Sequence, residues 1–462
     1  MSRLSPDNLP QNAALPAYER AGRGVGIVHF GLGAFTRAHQ AWYTDGAMAL
    51  DGGDWMIAGV SMRSADVGEQ LNPQGGLYTL AENSGEGTRL QVIGSVAQVL
   101  LAPESPDQIV ALLAAPGTHV VTFTVTEKGY CRSADGSLDA ALAEGGFYPL
   151  LADALAQRKA AGLGGLTLLS CDNLADNGHQ LRALLGQYIA ARMPDLADWV
   201  AQHCTFPCSM VDRIVPATTP EDRARIETQL NQRDEGVVMT EPFSQWVIED
   251  AFAGPRPAWD KVGAQIVADV APYETAKLRL LNGAHSALAY LGLEAGYTYV
   301  HEAVADPRLA ALVGQLMAEA AATITPAPGQ DLAAYARALI ARFENPALNH
   351  RLIQIAMDGS QKVPQRWLAV LAQAQAQGRQ CSAILTALGA WLRHIRGDNS
   401  AKWGPVSDPR AADLAGAWAA GADGVVDALF APDGVVGGPW RPLPADLPVI
   451  SAAAPSWREP VE

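Results

Sequence analysis

The chain has 462 residues, of which 49% are hydrophobic and 18% are charged, and its formal net charge is −15. This composition predicts a folded globular protein, and the length favours two domains. The acidic balance excludes nucleic acid as a partner, because no basic region could neutralise its phosphates. The sequence has no apolar run of membrane-spanning length and no signal-peptide pattern, so we expect a cytoplasmic protein without a membrane partner.

The first predicted element is a buried strand that ends in a glycine turn. Val25–Phe30 is a nearly continuous apolar run, typical of a strand covered on both faces, and a helix is predicted over residues 40–50. Strand, glycine turn and helix is the order that presents backbone N–H groups to a dinucleotide pyrophosphate. The third glycine of the usual pattern is not filled. The predicted contacts of this turn with the cofactor are Gly31, Gly33, Ala34 and Phe35.

The second predicted strand covers residues 54–62 and is followed by Arg63 and Asp66. An acidic residue at this place binds the adenosine ribose of NAD, whereas an arginine favours the extra phosphate of NADP. Both residue types occur here. The sequence therefore predicts NAD(H) as cofactor and leaves NADP(H) open.

Polar residues follow two further predicted strands, over residues 119–126 and 166–171. Glu127 comes after the first and Asn173 after the second, and ligands bind at the carboxyl ends of such strands. The alternative for Asn173 is a turn or helix cap. Further on, Asp212-Arg213 is flanked by apolar residues, and we interpret that pair as structural.

The cysteines are five in number and scattered, which fits reduced thiols better than a disulfide framework. Cys204 and Cys208, with His203 beside them, resemble part of a zinc site. A second pair of ligands is not close in sequence, so buried thiols are favoured and no metal is predicted.

The strongest functional signal is a mostly apolar segment that carries Glu274, Lys277, Asn282 and His285. On an α-helix these four residues fall within one sector of about 140°. A buried lysine is costly and its pKa falls, so Lys277 is a candidate general base near neutral pH. An exposed ion pair between Glu274 and Lys277 is the alternative.

Apolar periodicity predicts a helical C-terminal half. Asp331 is a plausible N-cap of one of these helices. The predicted helices cover residues 306–325, 331–343, 364–378 and 382–397.

Together these segments resemble the mannitol dehydrogenase family, the polyol-specific long-chain dehydrogenases. The resemblance extends from residue 26 to residue 362, and its blocks occur in the same order. The blocks are Gly31-Leu-Gly-Ala-Phe-Thr-Arg-Ala-His39, Thr126-Glu-Lys-Gly-Tyr130, Ser170-Cys-Asp-Asn173, Met210-Val-Asp-Arg-Ile214, Glu241-Pro-Phe-Ser-Gln-Trp-Val-Ile-Glu-Asp250, Lys277-x4-Asn282-x2-His285 and Asp358-Gly-Ser-Gln-Lys362.

The resemblance implies an α/β fold, with a Rossmann-like NAD(P)-binding domain followed by a mostly α-helical C-terminal domain. We place them at residues 1–270 and 271–462, the second for substrate binding and catalysis. The implied chemistry is metal-independent hydride transfer between a secondary alcohol and NAD(P). The implied roles are general base for Lys277, amide donors to the substrate oxygen for Asn173 and Asn282, a hydroxyl contact for His285, support for Asp212, and a proton path for Glu274 with Glu127 nearby.

Departures from the mannitol-oxidising members narrow the expected substrate. Those members tend to carry glycine where this chain has Lys128, and arginine where it has Gln354. The chain resembles more the members that reduce D-fructuronate to D-mannonate. A hexuronate carries a carboxylate, and its predicted cationic partners are Lys128, Lys362 and Arg366.

Several points stay open at this stage. Lys128 and Arg366 could instead be solvated surface charges. Thr36 replaces a histidine usual in the glycine turn, and Ala65 replaces an acidic residue often found beside Asp66, which keeps NADPH open.

The first alternative function is oxidation of mannitol or another polyol, and the alternative from another class is a silent sugar or nucleotide sensor. We expect a small sugar acid or polyol as ligand and a monomer or small homo-oligomer.

Overall fold

The structure, a computed structural model, describes residues 1–452 except for the side chains of residues 422 and 423. Two compact units are present, an N-terminal unit, Met1–Val270, and a C-terminal unit that begins at Ala271. The predicted C-terminal domain extends to residue 462, and its end lies outside the described residues.

The N-terminal unit contains eleven strands and ten α-helices. The strands are β1 Val25–Phe30, β2 Met56–Ser61, β3 Tyr78–Ser84, β4 Gly87–Ile93, β5 Val96–Leu101, β6 Val120–Phe123, β7 Thr167–Ser170, β8 Ser209–Asp212, β9 Val238–Thr240, β10 Gln245–Glu249 and β11 Gln265–Val267. The helices are α1 Ala34–Ala38, α2 Gln40–Asp51, α3 Asp66–Leu71, α4 Pro106–Ala114, α5 Thr126–Gly129, α6 Ala140–Ala143, α7 Tyr148–Ala160, α8 Asn177–Arg192, α9 Ala197–His203 and α10 Pro220–Leu230. Short 3₁₀ turns cover Asn72–Gln74, Pro194–Leu196 and Trp259–Val262.

Five strands form a parallel sheet in the order β5-β2-β1-β6-β7. The chain starts in the middle, winds outward to β5 and then returns to the other side of β1, which is the Rossmann order and confirms the predicted fold class. All four predicted strands lie in this sheet. The predicted strand over residues 119–126 is too long, because it ends at Phe123 and Thr126 has a φ of 63°.

Both faces of this sheet are buried, as the apolar run of β1 predicts. Val28 and Phe30 pack with residues of α4, α7 and α8 on one face, and the Phe30 ring stacks on Phe123 with centroids 5.5 Å apart. Ile27 packs on the other face with residues of α2 and of the smaller sheets. Alternate side chains of one strand therefore supply two separate cores.

Two three-stranded sheets, with the orders β4-β3-β9 and β11-β10-β8, accompany the central sheet. The sequence did not predict them. Their strands are short or rich in polar residues, such as Thr88, Arg89 and Gln91 in β4. Period-two apolar alternation is the signal for a strand, and here it is too weak to detect.

The C-terminal unit contains helices and no strand among its described residues. The helices are α11 Ala271–Ala276, α12 Gly283–Ala295, α13 Val300–Ala305, α14 Pro307–Ala321, α15 Leu332–Phe343, α16 Leu352–Ile355, α17 Gly359–Val363, α18 Ala369–Ala376, α19 Ser382–Arg396, α20 Ser400–Trp403, α21 Ala411–Ala417, α22 Gly421–Phe430 and α23 Leu447–Ser451, with π segments at Lys277–Asn282 and Pro364–Leu368 and a 3₁₀ turn at Trp418–Ala420.

Helix α12 is the centre of this unit. It is buried without interruption from Gly283 to Leu293 and packs against α14, α16 and α19. A helix that is apolar on all sides belongs in a core. The predicted N-cap of α15 is confirmed, because the Ala334 N–H donates to Asp331 Oδ1 at 2.8 Å. Within the described residues, no helix combines the length and apolarity needed to cross a membrane.

Candidate active site

The glycine turn after β1 is shaped by one close backbone approach. Gly31 has a φ of 90°, and a Cβ there would lie 2.3 Å from the carbonyl oxygen of Thr124. Both facts require glycine. A Cβ on Gly33 would meet only the Gly31 carbonyl oxygen, at 3.7 Å, so packing within the protein does not require glycine at that position.

A buried network of hydroxyl groups around one imidazole supports this turn. His29 Nε2 lies 2.8 Å from the hydroxyl oxygens of Thr36 and Thr124. His29 Nδ1 lies 2.7 Å from Thr122 Oγ1, and the Thr124 hydroxyl donates to the Gly31 carbonyl at 2.9 Å. Burial lowers the pKa of His29 to about 3, so the ring is neutral. Thr36, a departure from the usual glycine turn, thus belongs to its support.

A cavity of about 860 Å³ opens at the carboxyl ends of β1, β2 and β6. In a sheet of this order, ligands bind where the strand order reverses, here between β1 and β6. The volume and the glycine-lined edge fit a dinucleotide. Ala34 and Phe35 belong to α1 and are not among the described residues that line the cavity; the Phe35 ring stacks on His39. The predicted residues that do line it are Gly31, Gly33, Arg63, Asp66, Glu127 and Lys128.

Asp172, which the sequence did not single out, joins the segments that follow β6 and β7. Its carboxylate accepts hydrogen bonds from the Val125 and Thr126 N–H groups, at 3.0 and 2.9 Å. The Tyr130 hydroxyl donates to it at 2.9 Å. Burial raises the pKa of Asp172, and these donors oppose that effect. Its only sequence signal was its place before Asn173 at the end of a strand.

The other predicted residues of the N-terminal unit differ in burial. Asn173 is exposed in the segment after β7, and Asp212 is buried as the last residue of β8. Arg213 pairs with Glu82 at 2.6 Å, and it also donates to the Ala38 carbonyl at 2.6 Å. Arg213 therefore has the structural role that we predicted for it.

In the C-terminal unit, Lys277 and Asn282 are the first and last residues of a π segment between α11 and α12. The Gly283 N–H donates to the Leu278 carbonyl five residues earlier, the pattern of a π turn. The prediction of a regular α-helix is therefore wrong here. Lys277 and Asn282 are five residues apart, which on an α-helix separates them by roughly 140° around the helix axis. A π turn has more residues, so it makes the angle between these two side chains smaller.

The second π segment, Pro364–Leu368, supplies hydrogen bonds to the first. Arg366 Nη1 donates to the Asn282 carbonyl at 3.1 Å and to Ser286 Oγ at 2.7 Å. Trp367 Nε1 donates to the Gly283 carbonyl at 3.2 Å. Both carbonyls lie where the π segment joins α12, so these side chains connect the start of α12 to the second π segment. The sequence did not reveal this arrangement.

His285 lies in a buried aromatic pocket. Its ring centroid is 4.5 Å from that of Phe343 and 5.4 Å from that of His350. Burial, together with the charges of His350, Arg342 and Arg366, holds the pKa of His285 well below its usual value. A neutral imidazole keeps one donor and one acceptor nitrogen, as a hydroxyl contact requires.

The two predicted carboxylate partners in this unit differ in availability. Lys362 Nζ donates to the Met357 and Ile355 carbonyls at 2.6 and 3.3 Å and lies 4.0 Å from Asp358 Oδ2. The hydrogen bonds of Arg366 come from Nη1, and no carboxylate of the described residues pairs with it. Burial lowers the pKa of Arg366 to about 10, so it stays charged at neutral pH.

The Rossmann sheet and its cavity are those of a dinucleotide-binding protein. Two family models match this chain, the mannitol dehydrogenase Rossmann domain over residues 25–261 and the mannitol dehydrogenase C-terminal domain over residues 269–435. The chain belongs to the mannitol dehydrogenase family, which confirms the predicted family. It is an oxidoreductase that acts on CH–OH groups.

Relatives cover nearly the whole chain. D-mannonate oxidoreductase of Escherichia coli K12 is 42% identical over 90% of this chain and 88% of its own length. Mannitol 2-dehydrogenase of Phaeosphaeria nodorum is 38% identical over 89% and 76%. Mannitol 2-dehydrogenase of Pseudomonas fluorescens, solved with NAD and D-mannitol, is 36% identical with a TM-score of 0.80 over 97% and 95%. A substrate-free D-sorbitol dehydrogenase is 32% identical, with a TM-score of 0.89 over 97% of both chains.

The glycine turn gives a first testable prediction. Gly31→Ala is expected to lower the free energy of unfolding by at least about 2 kcal/mol, because its backbone and its Cβ are both disfavoured. Gly33→Ala, the matched variant, is expected to unfold at nearly the wild-type urea concentration while binding NADH more weakly. Urea unfolding and fluorescence titration with NADH measure the two effects. Equal stability losses in both variants would contradict this account of the turn.

Proposed function

We propose that this protein reduces D-fructuronate to D-mannonate with NADH. Residues 1–270 then form the cofactor-binding domain, and residues 271–462 bind the substrate and hold the general acid/base. The greater identity to a D-mannonate oxidoreductase, 42% against 38% for a mannitol 2-dehydrogenase, supports this substrate.

The observation that carries the proposal is the uncompensated charge of Arg366. A half-buried guanidinium without an anionic partner is unfavourable until an anion binds. Its Nε and Nη2 groups have no hydrogen-bond partner among the described residues. They offer donors of the kind that bind a carboxylate. D-fructuronate carries a carboxylate, and D-fructose does not.

We therefore assign binding of the substrate carboxylate first to Arg366. Lys362 is already engaged by two backbone carbonyls and Asp358. Lys128 lines the cavity of the N-terminal unit, beside the edge proposed for the cofactor. We keep Lys128 and Lys362 as secondary candidates.

Cofactor binding is assigned to the cavity of the N-terminal unit. Gly33 would face the pyrophosphate with its backbone N–H, and Gly31, whose N–H donates to the Val60 carbonyl at 2.8 Å, would hold the turn in place. Asp66 would accept a hydrogen bond from the adenosine ribose. Arg63 is exposed on the same wall and could partner the extra phosphate of NADP(H). Ala34 and Phe35 were predicted to contact the cofactor, but they do not line this cavity. In this proposal they contribute only as part of α1, the short helix that follows the turn. When bound, the reduced nicotinamide supplies the hydride that converts the ketone carbon to a secondary alcohol.

The proton chemistry is assigned to the chain's own side chains. Lys277, as an ammonium ion, would donate the proton that the ketone oxygen gains on reduction, and in the reverse direction its neutral amine would accept the alcohol proton. The amides of Asn282 and Asn173 would donate to the same oxygen and stabilise its developing charge. His285 would hold a neighbouring hydroxyl group. Asp212 would support the site, and Glu274, with Glu127, would return the proton to solvent.

Mannitol oxidation is the second candidate function. The similarity to a mannitol 2-dehydrogenase solved with NAD and D-mannitol supports it. The two functions share the proton chemistry, so only the recognition of a carboxylate separates them.

Initial rates with matched ketones test the substrate. We expect NADH oxidation with D-fructuronate to be much faster at low substrate than with D-fructose, because only the hexuronate can pair with Arg366. D-Tagaturonate, which also carries a carboxylate, tests recognition of the hydroxyl positions. NADPH in the same assays gives the cofactor preference. Faster reduction of D-fructose would favour the mannitol function, and binding without turnover would favour a sensor.

The general acid/base assignment predicts a selective loss in Lys277→Ala. Turnover is expected to fall by about 10²–10⁴-fold, the usual contribution of a positioned proton donor. NADH affinity should stay near the wild-type value. Lys261→Ala is the matched control, because Lys261 is exposed and pairs with Asp51 at 2.6 Å. Wild-type turnover in Lys277→Ala would exclude Lys277 as the acid/base.

Arg366→Ala tests recognition of the carboxylate. We expect the KM for D-fructuronate to rise at least about tenfold more than that for D-fructose, equivalent to about 1.4 kcal/mol. A loss of kcat shared by both substrates is also expected, since Arg366 donates to the Asn282 carbonyl. Ser286→Ala removes a partner of Arg366 but keeps its charge, so it should affect both substrates equally. Equal KM effects of Arg366→Ala on both substrates would overturn the assignment.

A further inference from the structure

Three metal-ligating side chains meet outside the residues assigned to catalysis. Asp176 and His179 lie at the start of α8, and Cys208 immediately precedes β8. Asp176 Oδ1 is 2.5 Å from His179 Nδ1. Cys208 Sγ is 3.6 Å from that carboxylate oxygen and 3.8 Å from that imidazole nitrogen. The fold thus joins a carboxylate, an imidazole and a thiol from two distant segments.

The backbone that carries these three ligands is held firmly. The buried Asn177 side chain donates to the Ser209 carbonyl at 2.8 Å and accepts from the Ser209 N–H at 3.0 Å. It also donates to the Asp172 carbonyl at 3.0 Å. A Cβ on Gly178 would lie 2.4 Å from the Phe206 carbonyl oxygen, so glycine allows the first turn of α8 to approach that strand entrance. The ligand spacing is therefore preorganised by neighbouring contacts.

We propose that Asp176, His179 and Cys208 form a binding site for a soft divalent cation, with Zn²⁺ as the probe. Ligand atoms bound to one Zn²⁺ at about 2.0–2.3 Å lie about 3.3–3.8 Å apart in a tetrahedron. Both distances from the sulfur already meet that spacing. The carboxylate and imidazole would move apart by less than 1 Å, roughly, as the cation replaces their shared proton.

The charges around the thiol suit a cation. The side chains of Asp176 and His179 are 64% and 60% exposed, which leaves room for water as a fourth ligand. The Glu249 carboxylate accepts from the Cys208 N–H at 2.8 Å and adds negative potential. Burial, with the charges of Glu249 and Asp176, raises the pKa of Cys208 to about 12. A bound cation would stabilise the thiolate and remove that proton.

This cation would link two segments that carry proposed active-site residues. Asn173 precedes Asp176 by three positions, and Asp212 ends the strand that Cys208 introduces. The site itself contains no residue to which we assign catalysis. Cation binding therefore does not depend on the proposed reaction, and either one can fail without the other.

Titration of the chelator-treated full chain with Zn²⁺ and Co²⁺ tests the site. We expect one high-affinity Zn²⁺ per chain by competition with a chromogenic chelator, and a thiolate-to-cobalt charge-transfer band with Co²⁺. Cys208→Ser should abolish the band. His179→Ala and Asp176→Asn, both at exposed positions that tolerate change, should weaken Zn²⁺ binding by more than the about tenfold loss typical of an outer-shell partner.

Cys204→Ser is the matched control, because Cys204 is also a buried thiol of this region but lies outside the cluster. It should keep both the band and the affinity. Circular dichroism and NADH titration check that each variant is folded. Absence of the cobalt band in the wild type, its survival in Cys208→Ser, or unchanged affinity in both exposed variants would overturn the proposal.

Discussion

The candidate active site depends on side chains that hydrogen-bond the backbone of the segments in which the proposed functional residues lie. At the π segment, Arg366 and Trp367 bond the carbonyls of Asn282 and Gly283. After β6, the carboxylate of Asp172 plays the same part for two backbone N–H groups. A backbone N–H group without an acceptor costs about as much as a lost hydrogen bond, so Asp172 stabilises the turn after β6. Arg366 and Trp367 attach the start of α12 to the second π segment. Precise placement of the proposed catalytic groups follows from this support.

Sequence reasoning succeeds where a structure depends on residues that are close together in the chain. Periodicity identifies β1 and the other predicted strands of the central sheet because each is buried on both faces, and it identifies α15 because one face is apolar. Local blocks single out Lys277, Asn282 and His285 because the three lie close together in the chain, and their roles stay a prediction. In each of these cases the prediction uses the order of residues within one short segment, and a single sequence contains that information.

Sequence reasoning fails where the deciding contact is distant in the chain. The π segment is stabilised by Arg366, 84 residues beyond Asn282, and no local spacing distinguishes it from an α-helix. The sequence does not distinguish Asp172 or His29, because partners such as Thr122, Val125 and Thr126 lie in and after β6, far away in the chain. Asp176 and Cys208 are separated by 32 residues, so the sequence suggested only the nearby Cys204 and His203 as companions of Cys208. The small sheets were missed for a different reason, the weak alternation of their short, polar strands.

In the proposed function, Arg366 connects substrate recognition with catalysis. Its Nη1 group donates to the carbonyl of Asn282, while its Nε and Nη2 groups have no hydrogen-bond partner among the described residues. A guanidinium is planar and rigid, so an anion that orients one edge also orients the other. The charge of the substrate and the position of the Asn282 backbone are then coupled through Arg366. The effects of substitutions at Arg366 and Asn282 on substrate binding should therefore be non-additive. An uncharged ketose would leave the same arginine bound to the π segment but without its anion. The proposed preference for a hexuronate would then be expressed in the position of the π segment that ends at Asn282 as well as in affinity.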